Sequence, residues 1–428
     1  MSRRRLLTGF AVLLALLALL PTLGWLHELW LTRSLASAAP LALPAERGAQ
    51  LQRGAYLARI GNCAGCHTAR GGPAYAGGMG LQTPFGTVFA SNLTPHPRDG
   101  LGGWSADDFW RALHHGRSRD GRLLYPAFPY PSMTQMTRAD ADALFAWLQT
   151  LAPVEKPNRP HELDWPYRSQ TALAVWRLLY FRPGQTQPAE IEAPLARGRY
   201  LVQAVAHCAE CHAPRNRWGA LQDLPRMDGG LLTNEMWTAP SLHDAREAGL
   251  KVWSEAQLAQ WLRSGWSTQG VALGPMAGVI GDSLRHLTES DARAMAQYLL
   301  SLPAENPPRA VPKPAPTAQM QLGARVYRDH CASCHGSQGQ GLGAHGTPAY
   351  PALAGNRTAL QDSPLNLLQV LANGAYAAST PAHPRPYGMP PFRHALSDAE
   401  LAAVASFVRQ SWGNAAAAVS ELELRRVK

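Results

Sequence analysis

Three short segments of the sequence contain residues that can attach and ligate a metal-bearing group. In each segment two cysteines separated by two residues are followed directly by a histidine, and the three copies use all 6 cysteines of the chain. The copies are Cys63, Cys66 and His67, then Cys208, Cys211 and His212, and then Cys331, Cys334 and His335. A zinc site would need four ligands for each metal, and a redox-active dithiol would need no histidine in that position.

Covalent attachment of haem explains this order of residues. Two thiols about one helical turn apart can bond the two vinyl groups at one edge of a haem, and the histidine that follows can bind its iron. The spacing therefore predicts three covalently bound haem c groups held by the six cysteines. His67, His212 and His335 are then the proximal iron ligands.

Methionine is expected on the far side of the iron in an electron carrier, because a thioether ligand raises the reduction potential. In the second and third repeats, GPMAGVIG and YGMPPF contain Met276 and Met389 in Gly- and Pro-rich segments shortly before a helix-capping residue. The sequence predicts that these two methionines lie in loops and are distal iron ligands.

The first repeat departs from this pattern. The segment Tyr125-Pro-Ala-Phe-Pro129 stands where a methionine is expected. Met136 is the first candidate for the distal ligand of this iron, and Met133 is the second. Further candidates outside this segment are Met79, His114 and His115. If no methionine binds, this iron is five-coordinate or has histidine as its sixth ligand, at a lower potential.

Helix signals recur around the three motifs and indicate the elements that position them. A short amphipathic segment with a glycine and a tyrosine leads into each cysteine pair, as in RGAYLARIGNC from Arg53. Downstream, a serine stands eleven residues before a glycine, which predicts a capped helix of about three turns. These pairs are Ser105 and Gly116, Ser254 and Gly265, and Ser363 and Gly374.

A second helix is predicted after each of these, because a capping box is followed ten residues later by an aromatic residue. The boxes are Thr137 to Asp140, Thr288 to Asp291 and Ser397 to Glu400, and the aromatic residues are Trp147, Tyr298 and Phe407. The fold class predicted from these repeats is mainly α, with three tandem small helical domains, long loops and Pro-rich linkers.

The predicted domain boundaries follow the repeats. They are an N-terminal anchor or signal at 1–45, a first domain at 46–152, a connector at 153–188, a second domain at 189–302, a Pro-rich linker at 303–318 and a third domain at 319–428. The connector contains the apolar segment TALAVWRLLYF from Thr171, which predicts a helix that packs across domains. A helix facing a membrane or a partner is the alternative.

The N-terminus predicts export across the cytoplasmic membrane. Arg3, Arg4 and Arg5 precede an uncharged run from Leu6 to Leu26, which is longer than the usual apolar core of a secretory signal. Trp25 and Trp30 near its end are typical of a membrane interface and favour a retained anchor. Ala36-Ser37-Ala38 is an acceptable cleavage site, so a removed signal is the alternative. Either reading sends the rest of the chain across the cytoplasmic membrane, and we predict a location at the cell membrane, on its periplasmic side.

The net charge and the motif content indicate a protein that works with a partner enzyme and carries out no catalysis of its own. The net charge of +10 comes without a basic stripe interleaved with aromatic residues, so no nucleic-acid partner is predicted. No P-loop, nucleophile-elbow or metalloprotease motif occurs. We therefore predict no catalytic residues in this chain, and bond-making is left to a partner.

The sequence resembles the membrane-associated triple-haem cytochrome c subunits of bacterial alcohol, aldehyde and gluconate dehydrogenases. The motifs that carry the resemblance are TPFGTVFASNLTP from Thr83, GGWSADDFWRALHHG from Gly102, LYPAFPYPSMTQMT from Leu124, GPMAGVI from Gly274, YPALAGN from Tyr350, GMPPF from Gly388 and SWGN from Ser411. The resemblance implies three cytochrome c domains. It also implies electron transfer from a separate catalytic dehydrogenase subunit to ubiquinone in the membrane.

Two other functions remain open at this point. A free-standing periplasmic multihaem carrier would have its N-terminal segment removed near Ala38. A haem peroxidase would need an open coordination position at the first iron.

Overall fold

A computed structural model describes residues 18–32, 47–184, 191–222, 226–232, 235–308, 311–344 and 347–427. Helices dominate these residues, and the strands are short, which confirms the mainly α fold class. The alternative cleavage site at Ala36-Ser37-Ala38 and the first part of the apolar run lie outside the described residues. Within the described ranges, no helix has the length and apolar character needed to cross a membrane.

The chain divides into two compact units. The first contains Met1–Ala189 with Asn216–Ala220, and the second contains Glu190–Arg215 with Leu221–Lys428. The first Cys-x-x-Cys-His motif therefore lies in one unit, and the second and third motifs lie together in the other.

The first unit is built from helices around one small sheet. Its described helices are α1 (18–32), α2 (Arg47–Ile60), α3 (Cys63–His67), α4 (Ala106–His115), α5 (Tyr130–Met133), α6 (Arg138–Leu148) and α7 (Gln170–Tyr180). Strands β1 (Gly80–Thr83), β2 (Gly86–Phe89) and β3 (Glu162–Leu163) pair antiparallel in that order. The apolar segment of the connector is helix α7, as the sequence predicts.

The second unit contains the helices and short hairpins of the second and third repeats. Its described helices are α8 (Pro194–Tyr200), α9 (Ala209–His212), α10 (Glu255–Ser264), α11 (Pro275–Asp282), α12 (Glu289–Ser301), α13 (Thr317–His330), α14 (Ala332–His335), α15 (Arg357–Leu360), α16 (Leu365–Asn373), α17 (Asp398–Gln410) and α18 (Glu421–Leu424). A π-helical turn, Leu201–Val205, continues α8 toward the second motif. The strands form hairpins β4 (Gly230–Leu232) with β5 (Trp237–Ala239), β6 (Trp266–Ser267) with β7 (Gly270–Val271), and β8 (Leu342–Ala344) with β9 (Thr347–Tyr350).

A close helix crossing occurs once in each repeat, where the helix before the cysteines meets the last long helix of the repeat. A Cβ built on the glycine at the crossing would collide with a backbone carbonyl oxygen of the other helix. The glycine–alanine pairs are Gly54–Ala143, Gly198–Ala294 and Gly323–Ala403, and the Cβ-to-oxygen distances are 2.0, 1.9 and 2.3 Å. The predicted aromatic residue of each repeat also lies at the crossing, since the Cβ atoms of Trp147, Tyr298 and Phe407 are 2.8, 2.9 and 2.8 Å from the same built atoms.

A bidentate ion pair reinforces two of these crossings. Arg53 donates to both carboxylate oxygens of Asp140 at 2.8 and 2.9 Å, and Arg197 donates to both oxygens of Asp291 at 3.0 Å each. Each arginine directly precedes the crossing glycine, and each aspartate lies in the capped first turn of the facing helix. In the third repeat Leu322 replaces the arginine, and the corresponding Glu400 completes a capping box instead.

Two of the three predicted serine-to-glycine helices have the expected caps at both ends. Ser105 and Ser254 form capping boxes, and the glycines that end these helices have positive φ. The third differs, because α16 has Pro364 as its N-cap and Ser363 accepts a hydrogen bond from the Leu365 amide at 3.3 Å. The physical reason is that proline already has a φ near −75° and suits a helix start. The predicted start at Ser363 was therefore one residue early.

Helix α16 also joins the third repeat to a hairpin of the second. Asn366 accepts a hydrogen bond from the Thr238 amide at 2.8 Å and donates to the Thr238 carbonyl at 2.7 Å. Gln369 donates to the Met236 carbonyl at 3.0 Å. Both polar side chains are buried, so their amides compete little with water. These hydrogen bonds hold α16 against the β4–β5 hairpin within one unit.

Candidate haem-binding sites

Each cysteine–histidine motif lies on a short helix that follows the end of another helix. The left-handed residue Asn62, with φ 50°, separates α2 from α3. Cys208 and Cys331 are the N-caps of α9 and α14, which end at the two motif histidines. Because positions three residues apart share one face of a helix, the two sulfurs of each motif lie on the same side of its backbone.

None of the six cysteines forms a disulfide, and the thiols of Cys63, Cys208 and Cys331 do not have the character of a reactive thiolate. Burial raises the pKa of Cys63 and of Cys208 to about 12 and the pKa of Cys331 to about 11. A dithiol that works in disulfide exchange has a lowered thiol pKa. The structure therefore disfavours the redox-dithiol reading and leaves the thiols available for covalent attachment.

A backbone carbonyl anchors the imidazole of each motif histidine. Nδ1 of His67 lies 2.7 Å from the Ser91 carbonyl oxygen, and Nδ1 of His212 and His335 lies 2.8 Å from the carbonyl oxygens of Pro240 and Pro351. A carbonyl only accepts, so Nδ1 carries the proton and donates it. Nε2 is left with its lone pair, which is the state that binds a metal.

Desolvation keeps these imidazoles neutral. Burial lowers the pKa of His67, His212 and His335, and the carbonyl hydrogen bond offsets this in part at each ring. A neutral ring with a fixed tautomer needs no deprotonation before its nitrogen reaches iron. The three sites share one arrangement, which agrees with one shared role.

Sequence reasoning missed the three carbonyl anchors. They follow their histidines by 24, 28 and 16 residues, so no fixed spacing marks them. A weaker signal does exist, because a leucine stands two residues after each anchor. These leucines are Leu93, Leu242 and Leu353. Comparing the segments SNL, PSL and PAL across repeats would have found the anchors.

The residues of each motif fit a haem c group. Two thiols on one helical face, neither of them in a disulfide, can form the two thioether bonds, and the anchored imidazole offers Nε2 to the iron. A bound haem would supply one-electron oxidation and reduction. The chain itself holds the ring nitrogen in one orientation and excludes the alternative tautomer at each site.

The two predicted distal methionines lie in different settings. Met276 lies in the first turn of helix α11 rather than in a loop, so the predicted loop position was wrong. Gly274 has φ 56° just before it, and Pro275 suits the helix start that follows. Met389 does lie outside helices, and its backbone pairs with Ala375 through hydrogen bonds of 2.7 and 3.1 Å. Ligation by either methionine stays a prediction.

The candidates in the first repeat are both buried. Met136 is 3% exposed and directly precedes the cap Thr137, whereas Met133 is 6% exposed and ends α5. Met79, the candidate that directly precedes strand β1, is 37% exposed. Ligation of the first iron by Met136, or by Met133 as the second choice, stays a prediction.

The adjacent histidines of the first repeat predict a pH dependence of stability. Burial lowers the pKa of His114 to about 4 and that of His115 to about 3, and the neighbouring His114, Arg177, Arg117 and Arg111 lower the second further. Nδ1 of His114 lies 3.0 Å from Nε2 of His115. The folded state then binds fewer protons than the unfolded state below about pH 6.5.

We expect the free energy of unfolding of the first unit to be constant above about pH 6.5 and to fall by a few kcal/mol as the pH decreases toward 4. Denaturant titrations at a series of pH values measure this. His115→Gln should flatten the dependence, whereas substitution of the exposed His394 by Gln should leave it as in the wild type. A wild-type profile that stays flat down to pH 4 would refute the prediction.

The chain is similar to known cytochrome c proteins. The sequence model of the family described as "Cytochrome c" matches residues 46–152 and 320–412. The cytochrome c subunit of gluconate 2-dehydrogenase from Pantoea cypripedii is 37% identical over 401 residues, which cover 89% of this chain and 90% of that one. The cytochrome c subunit of alcohol dehydrogenase (quinone) from Gluconacetobacter polyoxogenes is 35% identical over 401 residues, with 89% and 84% covered.

A third relative is named for a different dehydrogenase. The fructose dehydrogenase cytochrome subunit of Gluconobacter japonicus is 32% identical over 409 residues, which cover 88% of this chain and 82% of that one. Identity of this extent, together with motif cysteines and histidines placed for covalent haem, shows that the chain belongs to the family of cytochrome c subunits of alcohol, gluconate and fructose dehydrogenases.

Proposed function

We propose that this chain is a three-haem electron-transfer subunit that takes electrons from a catalytic dehydrogenase subunit and passes them to ubiquinone at the periplasmic side of the cell membrane. The observation that carries this is the threefold repetition of one site: two cysteines outside any disulfide beside an imidazole whose Nδ1 is held by a carbonyl. The chain itself supplies redox sites, and the partner supplies the substrate chemistry.

Each haem has assigned residues in this proposal. The cysteines are the attachment points, and His67, His212 and His335 are the proximal ligands. Met276 and Met389 are the distal ligands of the second and third irons, and Met136 or Met133 is that of the first. The second and third haems lie in one unit whose repeats are joined by Asn366 and Gln369, which supports direct passage of electrons between these two groups.

The relatives support the partner and the acceptor to different degrees. All three are named as cytochrome subunits of a dehydrogenase, which supports a catalytic partner subunit. One of these dehydrogenases carries the word quinone in its name, which supports a quinone in the electron path. Ubiquinone as the acceptor rests on this and on the apolar N-terminal run that would bring the chain to the membrane.

Haem counting tests the proposal directly. The protein, matured in a host that attaches haem c, should contain three haems per chain by intact mass and by haem absorbance against protein concentration. The double variant Cys208→Ser/Cys211→Ser should contain two. A wild-type ratio of one or two haems would refute the three-haem assignment, and an unchanged count in the variant would refute the second site.

Electron delivery is tested with the same preparation. The chain copurified with its catalytic subunit should have its haems reduced by the substrate of that subunit and reoxidised on addition of a short-chain ubiquinone. Haems that are reduced but never reoxidised by the quinone would place the acceptor elsewhere.

A further inference from the structure

Helix α1 contacts the first unit through one narrow stripe. Gly24, Glu28 and Leu31 are its buried positions, and they recur at helical spacing along one side. A Cβ built on Gly24 would lie 3.1 Å from the backbone of Ala174 in α7, so the two helices cross closely at this glycine. Leu31 is 3% exposed. The stripe fixes which side of α1 faces the protein.

A buried ion cluster lies at the centre of this contact. Oε1 of Glu28 accepts from Nε of Arg177 at 2.6 Å, and Oε2 accepts from Nη2 of Arg177 at 3.2 Å and from Nη2 of Arg117 at 2.9 Å. Glu28 is 1% exposed, and the Arg177 side chain is fully buried. Between Arg5 and Arg33, Glu28 is the only acidic or basic residue apart from His27.

Arg177 belongs to the interior of the unit and not to its surface. Its Nη2 also donates to the His115 carbonyl at 2.8 Å, and its guanidinium lies 4.6 Å from the ring centroid of Phe181 and 5.2 Å from that of Tyr130. Among the described residues, Glu28 is the only carboxylate in ion-pair contact with Arg177. A buried guanidinium without a counter-charge is strongly unfavourable. The interior of the first unit is therefore built around the presence of α1.

The rest of α1 is exposed and apolar. Its exposed large side chains are Leu19, Leu20, Leu23, Trp25, Leu26, Leu29 and Trp30. Leu179 and Tyr180 at the end of α7 are exposed as well. Apart from Thr22, whose hydroxyl donates to the Ala18 carbonyl within the helix, the exposed side chains of α1 are apolar. Such a helix matches a lipid environment, because no polar face remains for water.

We propose that the N-terminal helix is kept in the mature protein, locked to the unit that carries the first haem site by the Glu28–Arg177–Arg117 cluster, with its outward face in the lipid bilayer. The bilayer is the occupant that the sequence favours, since the uncharged run extends upstream to Leu6 and is preceded by three arginines. This deepens the membrane attachment proposed above. Its failure would leave the haem count and the reduction of the haems by the catalytic subunit unaffected, and these are measured separately.

Retention and lipid binding are tested on the purified full chain with its haems attached. Its intact mass should include the residues that precede the Ala36-Ser37-Ala38 cleavage site. Mixed with vesicles of phosphatidylcholine and phosphatidylglycerol, it should float with the vesicles at 1 M salt, where exposed charge attraction is screened. A mature chain that starts after residue 38 would overturn the proposal. A protein that keeps the helix but does not float with the vesicles would also overturn it, since a partner protein would then cover that face.

The ion cluster is tested by a double-mutant cycle. Glu28→Gln should raise the unfolding equilibrium constant of the first unit by about 100-fold, because Arg177 keeps its charge without a carboxylate. The apolar pair Glu28→Leu/Arg177→Met should be closer to the wild type than either of its single substitutions. The matched control is Glu155→Gln, which breaks the exposed pair with Arg98 and should change nothing measurable. Equal stability of Glu28→Gln and the wild type would overturn the proposed lock.

Discussion

Replacing Gly54 by alanine is expected to destabilise the first unit by about 3 kcal/mol or more. The new Cβ would lie 2.0 Å from the carbonyl oxygen of Ala143 and 2.8 Å from the Cβ of Trp147. Neither neighbour can rotate away, because one is backbone and the other is the root of a side chain. Helices α2 and α6 would have to separate, and overpacking of this kind typically costs about 1–3 kcal/mol, or more against backbone.

The separation would also disturb the neighbouring ion pair. Arg53 precedes the glycine and binds Asp140 with two hydrogen bonds of 2.8 and 2.9 Å, which depend on the distance between the same helices. Both effects act in the same direction. The lowest-denaturant unfolding transition of the full chain, followed by circular dichroism, should move to lower denaturant concentration.

The same helix provides a matched control. Gly48 also lies in α2, and a Cβ there would meet nothing within 4 Å. Gly48→Ala should be neutral or stabilising by up to about 1 kcal/mol, because alanine has the higher helix propensity. If both alanine variants behaved alike, the crossing would not depend on glycine and the shared packing of the three repeats would need another explanation.

The structural features that the sequence predicts well depend on residues that are near each other along the chain. A capping serine or threonine bonds an amide three residues later, so the caps at Ser105, Thr137 and Ser254 could be predicted from local spacing. The sequence also marks the crossing glycines, since a glycine before the cysteines and an aromatic residue in the last long helix recur in each repeat. The cysteine–histidine motifs are local for the same reason.

Features that depend on distant residues could not be predicted in this way. Glu28 and Arg177 are 149 positions apart, and no periodicity links an acid in an apolar run to an arginine in a later helix. The carbonyl anchors offer no side-chain signal, because a backbone carbonyl is available at every residue. Met276 was assigned to a loop because glycine and proline surround it, yet a proline at the first position favours a helix start.

Removal of the Met389 side chain is expected to lower the potential of one haem, by on the order of 0.1 V or more within the roughly 0.8 V range that axial ligands cover. A thioether favours ferrous iron, so its loss favours the oxidised state. The backbone at Met389 is held by contacts that do not use its side chain, because Met389 pairs with Ala375 and a Cβ on Gly374 would lie 2.6 Å from the Met389 carbonyl oxygen. Met389→Ala should therefore change the ligand without releasing the loop.

Redox titration of the assembled protein, followed by haem absorbance, separates ligation from packing. Met389→Ala should move one of the haem transitions to lower potential and slow the reduction of ubiquinone. Met320→Ala is the control, because this methionine of the same repeat lies half-buried in α13 and should leave every transition in place. Titration curves that coincide for Met389→Ala and the wild type would remove Met389 from the ligands, and the third iron would then need a different sixth ligand or none.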